Sequence, residues 1–61
     1  MKTAYDSHGK RLHVGDHITV NGMVVQIERL IPQCDGEMFV AWDEDGTEHE
    51  RPANTVIYRS Q

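Results

Sequence analysis

A second cysteine is missing from these 61 residues, so Cys34 has no partner within the chain and no internal disulfide can form. A secreted domain of this length usually relies on such bridges to support a thin core. Their absence favours a reducing compartment, or a partner subunit that adds burial. Long apolar runs are missing too. None approaches the roughly 20 residues of a membrane span, and "MKTAYDSHGK" has no apolar core of the kind a secretory signal needs. A cytoplasmic location is the expectation. Basic charge is scarce: ten acidic side chains outnumber six basic ones, for a net charge of −4. That balance argues against nucleic-acid binding dominated by phosphate contacts, which needs a basic face. Internal repeats, low-complexity tracts, linkers and any stretch of convincing helical periodicity are likewise absent.

What is present suits a water-soluble globule: 38% of the residues are apolar and 26% charged. A domain this small buries only about 60% of the surface its unfolded chain exposes, so every element must share one core. Residues 1–5 are expected as a loose end and residues 6–61 as one domain. "DSHG" places Asp6 and Gly9 at the first and last positions of a type I turn. In "KRLHV", Leu12 and Val14 are two apart and are expected to share an inward face.

"VGD" then bends the chain into "HITVNGMVVQI". Ile18 and Val20 alternate with His17 and Thr19, the period-2 pattern of a half-buried strand. Asn21-Gly22 suits a type I′ turn, whose central residues both take positive φ, leaving Val20 and Met23 to flank it. Met23, Val25 and Ile27 share one parity, and Leu30-Ile31 breaks it, which predicts a bulge or strong bend near Glu28-Arg29. "PQCDGE" is the next break. "EMFVAWD" reads as a strand with Val40 and Trp42 inward, "DEDG" as a second turn, and "TEHERP" as a polar strand closed by Pro52. "ANT" suits one tight helical turn before a last strand, "VIYR". The expected fold is all-β, with five short strands separated by turns.

Residues that could carry chemistry are sparse. The four histidines include His13 and His17, which together with His49 and Cys34 could in principle form a zinc set. No paired-ligand spacing supports it, and solvated surface histidines are the simpler reading, so no metal or cofactor is expected. Cys34 lacks the positive surroundings that lower a thiol pKa and reads as a turn residue. Ser7 beside His8 is sequence adjacency in a turn, not a nucleophile with an oriented base. The densest signal is "DEDGTEHE", residues 43–50, in which five of eight residues are acidic. Such a run either guards a solvated edge strand against pairing or attracts a basic protein surface. Trp42 opens the run, with Phe39 and Tyr58 as candidate aromatic neighbours for a cation-holding cage. A single Trp in so small a domain is more often its central core residue. On the basic side, Lys10 and Arg11 flank the first turn and could gather with Arg59 if the termini meet.

The run "DSHGKRLHVGDHITVNGMVVQIERLI", with "MFVAWDEDGTE" and "ANTVIY", resembles the small SH3-like barrels of the KOW and Tudor-like kind. Their Asp-x-x-Gly turn corresponds to Asp6 and Gly9, and their Gly-Asp before an apolar strand to Gly15 and Asp16. Gly22 holds the hairpin position, followed by Val24 and Ile27, and the later "V-x-W-x-x-x-G" is matched by Val40, Trp42 and Gly46. The resemblance spans roughly residues 6–59 and implies a five-stranded SH3-like barrel with a short helical turn before the last strand. KOW domains that touch ribosomal RNA usually carry a longer, basic hairpin loop, whereas "VNGMV" is minimal and uncharged.

The expectation is thus a non-catalytic binding or regulatory module for a protein with a basic surface, through Trp42, Asp43, Glu44, Asp45, Glu48 and Glu50. One alternative is a KOW-like accessory of nucleic acid or the ribosome, using Lys10, Arg11 and Arg59. It predicts salt-sensitive chemical-shift changes at those residues on adding RNA, and no change at low salt removes it. Another is an oligomer with a ligand or active site between subunits, which is removed if the chain sediments as a strict monomer of 7.0 kDa.

Overall fold

A computed structural model describes residues 3–60. It is all-β apart from one short helical turn. The strands are β1 (Ala4–Tyr5), β2 (Arg11–Leu12), β3 (His17–Val20), β4 (Met23–Gln26), β5 (Arg29–Pro32), β6 (Met38–Glu44), β7 (Thr47–Pro52) and β8 (Ile57–Arg59), with a 3₁₀ turn at Ala53–Thr55 before β8. They form three antiparallel sheets: β1-β2, β4-β3-β8 and β5-β6-β7. Pairing does not run continuously round the molecule, and no closed barrel is found among the described residues.

Turn chemistry sets most of this. Asn21 and Gly22 have φ of 50° and 81°, the doubly positive geometry expected there, and Val20 pairs with Met23 across the turn. Asp45 and Gly46 repeat it at 53° and 79°, joining β6 to β7 with Glu44 opposite Thr47. After β4 the chain changes sheets. The N–H of Ile27 donates to Asp16 O at 2.9 Å, on the β3 side. The N–H of Glu28 donates to Ala41 O at 2.7 Å, and Ala41 is also the register partner of Arg29. Glu28 and Arg29 thus stand together against one residue, which is the bulge predicted from the broken parity. This divides the stretch from Met23 to Pro32 into β4 and β5.

The core lies between the sheets and includes Leu12, Ile18, Val20, Ile27, Val40, Trp42 and Val56, none more than 4% exposed. The inward assignment of Val40 and Trp42 therefore holds. Three expectations change. Eight short strands in three sheets stand where five strands were expected. Val14 does not share the inward face of Leu12: it lies in the turn from His13 to Asp16, closed by Asp16 N–H to His13 O, and is 61% exposed. Of the segment 1–5, residues 1 and 2 lie outside the described residues, while Ala4 is buried and pairs with Leu12. A two-residue strand forms there because the Asp6–Gly9 turn, closed by Gly9 N–H to Asp6 O at 3.0 Å, folds it back onto β2.

Asp6 does more than start that turn. Its carboxylate is buried and accepts N–H bonds from His8 (2.9 Å), Lys10 (2.7 Å) and, across the sequence, Tyr58 (2.8 Å). Beside it, Ser7 N–H donates to Val56 O. The first turn is thereby tied to β8. Burial pushes the Asp6 pKa up, but the N–H bonds from Tyr58, Lys10 and His8, with His8 nearby, outweigh it and hold the pKa below the ordinary value.

Asp6→Ala strands those donors and is expected to cost about 3 kcal/mol in urea unfolding, a large share of the stability of so small a domain. Because the folded pKa is lowered, the carboxylate's contribution is complete above the ordinary aspartate range. It is lost as pH falls from that range through the folded pKa. Asp6→Asn should lack this acid-side loss, and parallel stability–pH curves for the two proteins would contradict the assignment.

Candidate functional site

The acidic run occupies the end of β6, its turn and β7. Because β6 and β7 leave the protein body together, Asp43, Asp45, Glu48 and Glu50 are exposed and Glu44 half-exposed. The structure divides these carboxylates into three settings.

Asp43, Glu44 and Asp45 form one wall of a groove of about 430 Å³. Met23, Val24, Val25 and Gln26 of β4 face them, and Glu28 stands at the bulge. None of the lining residues is basic. The groove exists because β4 and the end of β6 diverge: β5 pairs with β6 no further along than Ala41, and β4 turns off to β3. Met23 and Val24 are 43% and 47% exposed, giving this groove an apolar side opposite its acidic one.

Glu48 is committed elsewhere. Arg29 of β5 reaches diagonally over β6 and holds it at both carboxylate oxygens, Nε to Oε2 at 2.9 Å and Nη2 to Oε1 at 2.8 Å. The hydrogen bonds from Arg29, opposed by slight desolvation, keep the Glu48 pKa below the ordinary value, and the same contacts raise that of Arg29. As an exposed cross-strand pair it closes the outer face of the sheet rather than offering a free carboxylate.

Glu44 and Glu50 also border a second groove of about 270 Å³, with Val20, Met23, Trp42, His49 and Arg51. Trp42 is a core residue at 4% exposure, so it offers a partner little of its surface. Its recorded ring neighbour is His49, stacked at 5.8 Å between centroids and 18° between planes, and not the expected Phe39 or Tyr58. Glu44 Oε1 lies 3.9 Å from His49 Nε2, an ion pair whenever the imidazole is protonated. The Trp42 Nε1 is buried and lacks a hydrogen-bond partner among the described residues.

The basic candidates are not gathered into one patch. Lys10 Nζ sits 4.9 Å from the centre of the Tyr58 ring, a cation–π contact. Arg59 follows Tyr58 in β8, so the pleat sends it to the opposite face. Arg11 is exposed in β2, opposite Tyr5. His13 approaches Asp16, with Nδ1 3.7 Å from Oδ2, and Cys34 is exposed in its loop. Among the described residues no three His, Cys, Asp or Glu side chains are grouped to hold a metal ion.

Reasoning from sequence missed the β4 side of the groove. A signal was available: Val25 and Ile27 alternate towards the core, so Val24 is an apolar residue on the outward parity. Comparison with protein-family models, curated proteins and solved structures gave no match for this chain.

The Arg29–Glu48 clamp is testable by NMR. The Glu48 carboxyl should titrate below an ordinary glutamate, and Arg29→Gln should return it towards the ordinary range. Identical Glu48 titration in both proteins would remove the clamp.

Proposed function

We propose that this chain is a non-catalytic protein-binding module that captures a basic segment of its partner in the groove between β4 and the β6–β7 hairpin. The observation that carries the reading is the composition of that groove. Four acidic residues, Glu28, Asp43, Glu44 and Asp45, line it with Met23, Val24 and Val25, and no basic residue does. Such a surface attracts cations at long range and offers apolar area at short range, so it favours Lys- or Arg-rich segments and speeds their encounter. Of the six residues expected from sequence, Asp43, Glu44 and Asp45 are the principal contacts. Glu50 belongs to the neighbouring groove, Glu48 is held by Arg29, and Trp42 supports the hairpin from within.

We assign the fold, at the same level of proposal, to the SH3-like barrels of the KOW and Tudor-like kind. The order of elements supports this: a glycine hairpin, a bent strand pair, a second hairpin, and a 3₁₀ turn leading into the last strand. The core Trp42 departs from an exposed aromatic cage, so recognition rests on charge and on the groove rather than on cation–π capture.

The test combines Asp43→Lys, Glu44→Lys and Asp45→Asn. Asparagine at the last position keeps the left-handed φ of 53° that the turn requires. With the fold preserved by amide spectra, capture of basic partners from cell extract should fall at least about tenfold, since each charge reversal contributes to attraction across the interface. Undiminished capture sinks the reading.

A further inference from the structure

We propose, resting on that reading, that the basic segment binds in extended form as an added strand along the open edge of β4. The sheet edges of this protein are not alike. β7 presents Glu48, His49, Glu50 and Arg51 and ends in Pro52, while β8 has three residues and carries Arg59. β5 begins with Arg29 and ends with Pro32, and β1 and β2 have two residues each. Charge, proline and shortness are the usual means of keeping an edge from pairing. β4, "MVVQ", has none of the charge or proline, and β3 is its one neighbour.

Register fixes which backbone groups that edge offers. The two-residue turn makes Val20 and Met23 a hydrogen-bonded pair, so the N–H and C=O groups of Met23 and Val25 point to β3. Ile27, donating to Asp16, continues that series. Val24 and Gln26 then point their backbone groups the other way, towards the groove. The opposite wall has the matching property. Glu44 and Thr47 flank the other two-residue turn, so Glu44 and Trp42 bond to β7 and Asp43 points its backbone groups away from it. On that side β5 pairs only as far as Ala41, and Asp43 has no strand neighbour among the described residues. The groove is thus the place where a strand ladder stops at the bulge and both rails continue apart.

The occupant follows from charge. A second copy of the chain would bring a net charge of −4 and its own acidic rim to an acidic rim. A segment with Lys or Arg at alternate positions instead places cations against Asp43, Glu44, Asp45 and Glu28, while its backbone bonds to Val24 and Gln26. Such strand addition takes its affinity from main-chain bonds and its specificity from alternate side chains.

The probe is a capped hexapeptide alternating lysine and valine, added to the isotope-labelled protein at low salt. The expected result is amide exchange at Val24 and Gln26 slowed at least about tenfold. A peptide N-methylated at alternate residues, and the variant Val24→Pro, should each bind roughly tenfold more weakly, the worth of one or two hydrogen bonds. Proline is tolerable there because that N–H faces outward from an edge. If Val24→Pro does not fold, the N-methylated peptide decides. Binding that depends on Asp43 and Glu44 but leaves exchange at Val24 and Gln26 unchanged overturns strand addition and spares the acidic capture. Absence of binding overturns both. Protection at Val24 that grows with protein concentration before any peptide is added makes a second copy the occupant and overturns the proposal.

Discussion

The carboxylate of Asp6 is the constraint around which this fold closes. It brings together backbone groups from the first turn and from Tyr58, 52 positions later, and it is tolerated in the interior because N–H groups surround it. β8 rests on this tie. Its pairing with β3 in turn positions β4, and the 3₁₀ turn that precedes it delivers Ala53 and Val56 to the core. In a chain with so little interior, holding the two ends together costs entropy, and these hydrogen bonds add to the apolar burial of a few short strands in offsetting it.

Seen from that closure, the exposed features sort by what they protect. The charges of β7 keep an edge open to water, and the Arg29–Glu48 pair ties β5 to β7 over the middle strand. At the tip of the hairpin Glu44 has the imidazole of His49 3.9 Å away, while Asp43 and Asp45 form no ion pair among the described residues and stand across from the bare edge of β4. An acidic wall and an open strand edge thus occur at one place, for one reason: the bulge at Glu28 and Arg29 turns β4 away from β6.

Local chemistry made much of this legible in the sequence. Asn21-Gly22 and Asp45-Gly46 announce their turns because few other residue pairs accept two positive φ angles, and the parity break before Leu30 announces the bulge. Val14 misled because alternation was extended into a turn that Gly15, at φ 97°, makes for its own reasons. The reach of Asp6 to Tyr58 and the grip of Arg29 on Glu48 were not legible. Both depend on which strands become neighbours, and nothing in the spacing of the residues encodes that. For the same reason the acidic run and the outward-facing Val24 could each be read from the sequence, but not that they stand across one groove from each other.

The stack of Trp42 on His49 has an optical consequence. This is the chain's one tryptophan, so all indole fluorescence comes from a ring shielded from solvent and capped by an imidazole beside the second groove. The protein therefore carries a native, label-free reporter on the second groove, where Trp42, His49 and Glu44 meet.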